Sequence, residues 1–325
     1  IQGYLADSPL TILGSGASVP YGFPTMNELG KEIKKSKIII SDPVAKHLFE
    51  SIDEVGLEAA IDRHDISSPI KEEIRRITWG YINASDMECF QRIIEGERLD
   101  PLVKLIKKVI SPSPNQTSIV TTNYDRLIEY AIDLYGASIV TGFEGNLIKK
   151  FDGFSTDINN KRVRARERVV KILKVHGSLD WFENADEMIS TPLTMGSPED
   201  YIPLIVPPGK DKYSNTHSEP YRTIISEADK EFKLAKSFLS VGYGFNDLHI
   251  QPILLEQVRE GKPIVVITKA ATDSCHKLII DADLPRYVVL EADDKTENNT
   301  KVYSDEGSCL IDRNIWSLDE FMEVW

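Results

Sequence analysis

Four short segments of this sequence place glycine and polar residues directly after apolar runs that are typical of buried β-strands. They span residues 14–18, 121–125, 176–177 and 241–247. In open parallel sheets, ligands bind outside the carboxyl ends of the strands, where such residues gather. We therefore expect the four segments to form one site.

The first segment is a loop of small residues, through which a backbone could approach a pyrophosphate, with donors from the loop amides and the following helix. Its residues are Gly14, Ser15, Gly16, Ala17 and Ser18. Because Val19 follows Ser18, the standard GxGxxG signature is absent. The loop is equally consistent with a turn that only packs a strand against a helix. Thr25 and Glu28 form a capping-box pattern that predicts where this helix begins.

The second segment contributes Thr122, Asn123 and Asp125 at the end of a β-branched run. Asn123 offers both a donor and an acceptor, so it could hold a ribose hydroxyl and a water molecule at once. Asp125 could accept a hydrogen bond from a carboxamide. The alternative is that Asn123 or Asp125 only caps the next helix.

The third segment places His176 after an apolar β-branched run and before a glycine. Histidine titrates near neutral pH and is the most common general base. A histidine at a strand end can equally be a structural residue held by hydrogen bonds.

The fourth segment contains Gly242 and Gly244, followed by Asn246 or Asp247 as the cap of a helix. Together with the first loop, it could grip the two ends of a dinucleotide. Alone, it is consistent with a simple turn from strand to helix.

The elements that must position these segments alternate between strand and helix. Strands are predicted at residues 10–13, 118–121, 138–140, 169–175, 202–206, 237–241, 264–267 and 287–290. Helices are predicted near residues 25–33, 127–134, 221–234, 248–258, 273–280 and 317–325. This alternation predicts an α/β fold, a Rossmann-like parallel sheet with helices on both faces.

Residues 43–110 differ, because their apolar residues recur at three- and four-residue spacing and indicate several successive helices. We expect a single domain over residues 1–325. Residues 1–30 and 118–325 would form the core, and residues 31–117 a helical insertion.

Charge and composition exclude several classes of protein. The 325 residues include 38 Lys and Arg against 51 Asp and Glu, a net charge of −13, which disfavours direct binding of nucleic acid. The sequence contains no run of about 18 apolar residues that could span a membrane. Residues 1–13 also lack the layout of a secretion signal. We therefore expect a cytoplasmic protein with no membrane association.

Cysteine and histidine are too sparse for a standard metal site. Three scattered cysteines, Cys89, Cys275 and Cys309, cannot build a four-thiolate zinc site. The six histidines show no HExxH motif. We expect no metal.

The four segments, in their order along the chain, resemble the sirtuin superfamily, whose NAD-binding core carries GAG-x-S, T-Q-N-x-D, HG and a further glycine loop. Gly14, Gly16 and Ser18 match the first motif, with Pro24 and Thr25 like its downstream P-T. The second motif is matched by Thr121, Asn123 and Asp125, and the third by His176 and Gly177.

The resemblance implies that NAD is the substrate and that Asn123 and His176 are catalytic. Asn123 and Asp125 would face the nicotinamide ribose and the carboxamide, and His176 would act as the base. The residues implied to bind NAD are Gly14, Ser15, Gly16, Ala17, Ser18, Thr25, Thr122, Asp125, Gly242, Gly244 and Asn246.

One departure from the superfamily changes the predicted activity. Protein-deacylating sirtuins usually carry two CxxC-type pairs in a zinc module, and here a helical insertion replaces that module. The chain thereby resembles sirtuin-like domains of prokaryotic anti-phage systems, which hydrolyse NAD in abortive infection. We predict hydrolysis of NAD to nicotinamide and ADP-ribose, or to a cyclic product, regulated by homo-oligomer assembly or by a HerA-type ATPase. The alternatives are an NAD-dependent deacylase or ADP-ribosyl transferase, and a non-catalytic sensor of NAD or ADP-ribose.

Overall fold

The computed structural model describes residues 1–5, 8–110, 115–154, 167–192, 196, 200–209, 218–247 and 249–325. Its strands are β1 (Leu10–Leu13), β2 (Gln116–Thr121), β3 (Ser138–Val140), β4 (Phe143–Gly145), β5 (Lys149–Phe151), β6 (Val169–Lys174), β7 (Gly177–Glu183), β8 (Met188–Ser190), β9 (Ile202–Ile205), β10 (Phe238–Val241), β11 (Ile264–Ile267), β12 (Tyr287–Asp293), β13 (Thr296–Ser304) and β14 (Gly307–Ile311). They form two sheets.

The larger sheet has nine strands in the order β14-β13-β12-β11-β10-β1-β2-β6-β3. The strands from β12 to β3 pair in parallel, whereas β13 and β14 pair antiparallel. The predicted Rossmann-like parallel sheet is therefore confirmed. It brings the carboxyl ends of β1, β2, β6 and β10 to one edge.

The helices are α1 (Met26–Ile33), α2 (Lys37–Ile40), α3 (Ala45–Val55), α4 (Leu57–Arg63), α5 (Ser68–Ile94), α6 (Asp100–Val109), α7 (Leu127–Tyr135), α8 (Tyr221–Leu234), α9 (Gln251–Arg259), α10 (Asp273–Cys275) and α11 (Leu318–Val324). A π-helical turn, His276–Ile280, continues α10. Two short 3-10 turns, Ser15–Ala17 and Val19–Tyr21, follow β1. None of the helices in the described ranges is long and apolar enough to cross a membrane.

The large sheet separates two hydrophobic cores because successive side chains of a strand point to opposite faces. In β11, Val265 and Ile267 pack in the core that contains α6, α7 and α11. Ile264 and Val266 pack in the opposite core, with α8 and α9. Helices thus cover both faces of the sheet, as predicted.

Helices α1 to α6 lie between β1 and β2 in the chain, where the apolar spacing predicts successive helices. The capping box at the start of α1 is confirmed, since Thr25 accepts from the Glu28 amide and the Glu28 side chain accepts from Thr25. Leu29 and Ile33 of α1 pack with α2, α3, α4 and the beginning of α5 in a separate core. The 27 residues of α5 make it about 40 Å long.

The smaller sheet, in the order β4-β5-β8-β7-β9, is antiparallel. Of its strands, only β9 was predicted from the sequence. Strands β4, β5 and β8 have three residues each, too few for an alternating pattern. The hairpin of β13 and β14 was also not predicted, because most residues of β13 are polar and carry no strand pattern.

Candidate active site

A cavity of about 840 Å³ lies at the carboxyl edge of the parallel strands. It is lined by every residue that the sequence singled out as catalytic or NAD-binding. They are Gly14, Ser15, Gly16, Ala17, Ser18, Thr25, Thr122, Asn123, Asp125, His176, Gly242, Gly244 and Asn246. Four segments that are far apart in the chain therefore converge on one space.

The two glycine loops pack against each other at this edge. A Cβ atom on Gly14 would lie 2.4 Å from the Gly242 carbonyl oxygen. One on Gly242, whose φ is +61°, would lie 2.2 Å from the Ala17 nitrogen. The Gly16 amide donates to the Gly242 carbonyl at 3.0 Å. Glycine is thus required here by contact between the loops.

Four of the five amides of the first loop are already engaged within the protein. Those of Gly14, Gly16, Ala17 and Ser18 donate to the carbonyls of Val241, Gly242, Gly14 and Ser15, respectively. This differs from the expectation that the loop amides would donate to a phosphate. The reason is the tight 3-10 turn for Ala17 and Ser18, and the contact with β10 and its loop for Gly14 and Gly16. In this loop, Ser15 and Gly16 are exposed to the cavity side, whereas Ala17 and Ser18 are buried.

Asn123 ties the ends of β1 and β2 together. Its Nδ2 donates to the Gly14 carbonyl at 3.0 Å and to the Ser18 hydroxyl at 3.1 Å. The Ser18 hydroxyl in turn donates to Asp125 Oδ2 at 2.9 Å. Asn123 Oδ1 accepts no hydrogen bond from the part of the chain that the structure describes. That oxygen is the group through which Asn123 can contact a ligand.

Asp125 is buried and also supports the helix that follows it. Its Oδ1 accepts from the Leu127 amide at 3.2 Å at the start of α7, so part of the capping alternative holds for this residue. Burial raises the pKa of the Asp125 carboxyl, and the nearby Lys174 ammonium partly opposes this shift. Lys174 is fully buried and donates to the Asp125 carbonyl and, at 2.9 Å, to Glu129.

His176 stands at the short break between β6 and β7. Gly177 has a φ of +88°, and a Cβ atom there would lie 1.9 Å from the Leu204 carbonyl oxygen. The His176 carbonyl accepts from the Val206 amide at 2.9 Å. The glycine therefore lets β9 approach closely, and this fixes the backbone that carries the imidazole.

Asp247 is a site residue that the sequence indicated only as a helix cap. Its Oδ2 lies 2.5 Å from His176 Nε2, and both side chains are 5% exposed. Its Oδ1 does not cap α9 but holds the turn before it, accepting from the amides of His249 and Ile250 at 2.8 and 3.3 Å. The His249 ring lies edge-on to that of His176, with 6.2 Å between the centroids. The sequence alone leaves open whether His217 or His249 joins the site, and His217 lies outside the described residues.

Further cavity-lining residues come from regions with no motif. Glu58 of α4, Ile82 of α5 and Pro101 of α6 come from the helices between β1 and β2. Trp316 and Asp319 come from the C-terminal segment. No local pattern in the sequence marks them, because tertiary packing alone brings them to the cavity.

A buried ion pair connects α5 to the Thr121–Asp125 segment. Asp86 of α5 is 0% exposed and accepts from the backbone amide, Nε and Nη2 of Arg126 at 2.7, 2.9 and 2.7 Å. The Tyr130 hydroxyl donates to the same carboxylate at 2.5 Å. The Asp86 carboxylate raises the pKa of Arg126, although desolvation, the largest influence, acts the other way. The helical region is thereby attached next to Asp125.

Within the described ranges, no group of three or more His, Cys, Asp or Glu side chains is placed to hold a metal ion. Cys89 and Cys275 are buried, and burial raises the pKa of each thiol to about 12. Cys309 is exposed on β14.

A parallel sheet covered by helices on both faces, with a cavity where its strands end, defines a Rossmann-like α/β protein. The sequence model of the SIR2-like domain matches residues 117–311, more than half of the chain. The chain therefore belongs to the SIR2-like family, and membership supports the use of NAD. The predicted relationship to the sirtuin superfamily is confirmed.

Several solved structures are similar to this chain at low identity. A Sir2 homologue in complex with NAD is 12% identical over 86% of this chain and 82% of its own, with a TM-score of 0.42. A mutant Sir2 with a p53 peptide and NAD is 14% identical over 97% and 90%, with a TM-score of 0.43. A mutant Sir2 homologue with ADP-ribose is 13% identical over 82% of each chain, with a TM-score of 0.43. Among curated proteins, no significant match is found.

Proposed function

We propose that this chain is an NAD glycohydrolase, which converts NAD and water to nicotinamide, ADP-ribose and a proton. The observation that carries the proposal is the convergence of Asn123 and His176, from different strand ends, on a cavity that both glycine loops line. Its volume of about 840 Å³ falls within the range of ligand pockets, roughly 300–1,000 Å³.

The proposed chemistry follows from the bond that breaks. Cleavage of the nicotinamide–ribose bond develops positive charge on the ribose, so a water held in the correct position can complete the reaction. Asn123 would hold the ribose or that water through Oδ1, since its Nδ2 holds the glycine loop. His176 would accept a proton from the water or from a ribose hydroxyl.

Asp125 would accept from the carboxamide of nicotinamide. Each of its oxygens already accepts one hydrogen bond, from Leu127 and from Ser18. Each carboxylate oxygen can accept a second bond, so a place for the carboxamide remains. The rest of NAD would be bound by the remaining predicted residues of the two glycine loops, together with Thr25 and Thr122.

The residues around the cavity favour hydrolysis of NAD over a reaction in which NAD and a protein substrate react together. Side chains from α4, α5, α6 and the C-terminal segment line it, which suits a small molecule enclosed on several sides. The sequence also has only three cysteines, so it cannot carry the two CxxC-type pairs of a deacylase zinc module. In the proposed reaction, water attacks the ribose in place of the acyl-lysine that a deacylase would use.

The proposed role is that of a toxic effector in a prokaryotic anti-phage defence system. An enzyme that consumes NAD without restraint would exhaust its own cell, so its activity must be controlled. We propose that it acts in the cytoplasm, controlled by assembly into a homo-oligomer or by a HerA-type ATPase.

The first experiment incubates the purified protein with NAD, alone and with a HerA-type ATPase, and follows nicotinamide, ADP-ribose and cyclic ADP-ribose by chromatography. Equal amounts of nicotinamide and ADP-ribose are expected. Nicotinamide release only in the presence of an acetylated peptide or an acceptor protein would contradict hydrolysis and favour deacylation or ADP-ribosyl transfer. Tight NAD binding without turnover in any assembly state would favour a sensor.

Two substitutions test the catalytic roles. His176→Ala should lower the rate of NAD cleavage by about 10²-fold or more, the usual contribution of a positioned base. Asn123→Ala should lower it by about 10²-fold, because the ribose or the water would no longer be held in the reactive position. Asn184→Ala is a matched control, because Asn184 does not line the cavity and holds a turn by accepting from the amides of Asp186 and Glu187. Circular dichroism should show all three variants folded. Normal activity in either site variant would refute the role given to that residue.

A further inference from the structure

Asp247 and His176 form a buried pair whose geometry decides which imidazole nitrogen carries the proton. Asp247 Oδ2 and His176 Nε2 are 2.5 Å apart, and each side chain is 5% exposed. Nε2 has no hydrogen bond of normal geometry within the described part of the chain, so its approach to Oδ2 is an ion-pair contact and not an aligned N–H···O bond. A carboxylate oxygen and an imidazole lone pair would repel each other at this distance, so the contact favours a proton on Nε2.

We propose that Asp247 is the positioning residue of His176, keeping the proton on Nε2 so that Nδ1 is free to act as the base. This inference rests on the proposed NAD hydrolysis and adds a residue to it. Which histidine nitrogen is protonated is set by the bond that the other nitrogen makes.

The backbone at the start of α9 holds the Asp247 carboxylate in place. Its other oxygen, Oδ1, accepts from the His249 and Ile250 amides at 2.8 and 3.3 Å. Oδ2 is thereby turned towards the imidazole. An aspartate at this position can therefore both hold the turn before α9 and orient the ring.

The pair also affects the step in which the proton moves. As the water oxygen bonds to the ribose carbon, the electrons of the glycosidic bond leave with neutral nicotinamide, and the released proton passes to Nδ1. The imidazolium formed in this way lies against the Asp247 carboxylate in a site largely shielded from water, where opposite charges attract strongly. The proton then returns to solvent.

Asp247→Asn tests this role while preserving the turn before α9. Asparagine keeps an oxygen for the amides of His249 and Ile250, but its NH2 group would face Nε2 and favour a proton on Nδ1 instead. We expect kcat for NAD to fall by about 10²–10⁴-fold, as in triads where an aspartate that orients histidine becomes asparagine, with little change in KM. Asp42→Asn is the matched control, since Asp42 caps a turn before α3 by accepting from the Val44 amide at 2.9 Å and does not line the cavity.

A measurement without catalysis separates this inference from the proposed function. Nitrogen-15 NMR of the histidine rings, with the His176 signal assigned from His176→Gln, should show Nε2–H in the wild-type protein. The population of Nδ1–H should rise in Asp247→Asn. Wild-type His176 protonated on Nδ1, or an unchanged tautomer in the variant, would overturn the inference. If the protein fails to cleave NAD but shows the expected tautomers, the proposed function fails while the pairing stands.

Discussion

At the scale of single residues, Gly177 determines the backbone conformation next to His176, the proposed base. It combines a positive φ with a close approach of β9, so it has two independent reasons to be glycine. Gly136, the C-cap of α7, has nearly the same φ, +82°, but nothing lies within 4 Å of the place where its Cβ would be. The two positions separate the cost of backbone strain from the cost of a steric clash.

We predict that Gly177→Ala destabilises the protein by more than about 3 kcal/mol, because left-handed backbone costs about 1–2 kcal/mol and the clash with the Leu204 carbonyl adds to it. Gly136→Ala should cost only about 1–2 kcal/mol. Urea unfolding followed by circular dichroism measures both. Equal losses of unfolding free energy in the two variants would show that the contact with β9 is not a reason for glycine at position 177.

Sequence reasoning located the side chains at strand ends correctly but not all of their neighbours. Asn123 and His176 follow recognisable strands, and parallel strands must end at the same edge of a sheet. Asp247 also follows a strand, but nothing in the order of residues indicates that its carboxylate lies 2.5 Å from His176. That contact depends on how β10 and α9 sit relative to β6.

At the scale of elements, α5 is attached to the beginning of α7 by the buried Asp86–Arg126 pair. Removing one partner from a buried ion pair leaves an uncompensated charge and typically costs about 3–5 kcal/mol. Asp53 also pairs with a cation, Lys34, at 2.5 Å, but its side chain is 76% exposed. An exposed pair of this kind typically contributes about 0–1 kcal/mol.

Asp86→Asn should therefore lower the free energy of unfolding by about 3–5 kcal/mol, and Asp53→Asn by at most about 1 kcal/mol. Chemical denaturation of the two variants and the wild type measures the difference. A small effect of Asp86→Asn would mean that Arg126 does not depend on the Asp86 carboxylate and that Asn83 of α5, which accepts from it at 3.2 Å, is a sufficient partner.

Elements with strong periodicity were predicted from the sequence, and short or polar ones were not. The buried strands β10 and β11 consist mainly of apolar and β-branched residues, and α1 carries a complete capping box. The three-residue strands of the smaller sheet have no such pattern, and β13 is mostly polar. These segments are strands because they pair with other strands, and the local sequence does not indicate such pairing.

At the scale of the whole molecule, buried carboxyl groups make stability depend on pH. Burial raises the pKa of Asp125 and of Glu129, and Lys174 partly opposes both shifts. A raised carboxyl pKa means that the folded protein binds the proton more tightly than the unfolded chain. This contribution to stability is full below the ordinary carboxyl pKa, about 4, and is lost as the pH rises through the raised value.

Glu129→Gln removes one of these protons and keeps an acceptor for Lys174. We predict that the free energy of unfolding of the variant falls less steeply than that of the wild type as the pH rises from about 4 to about 8. Glu54→Gln, at an exposed position of α3, serves as the control and should follow the wild type. Urea titrations at a series of pH values give the slopes, and parallel curves for Glu129→Gln and wild type would contradict the prediction.

The contact between the two glycine loops also has a consequence for synthesis of the chain. Asn123 bonds to Gly14 across 109 positions of sequence, and Gly242 supports that loop from further still. A ribosome adds about 5–20 residues per second from the N-terminus. A nascent chain therefore has no complete cavity until β10 and the Asp247 turn have left the ribosome. The loop that follows β1 is thus synthesised long before the β10 loop that completes the site.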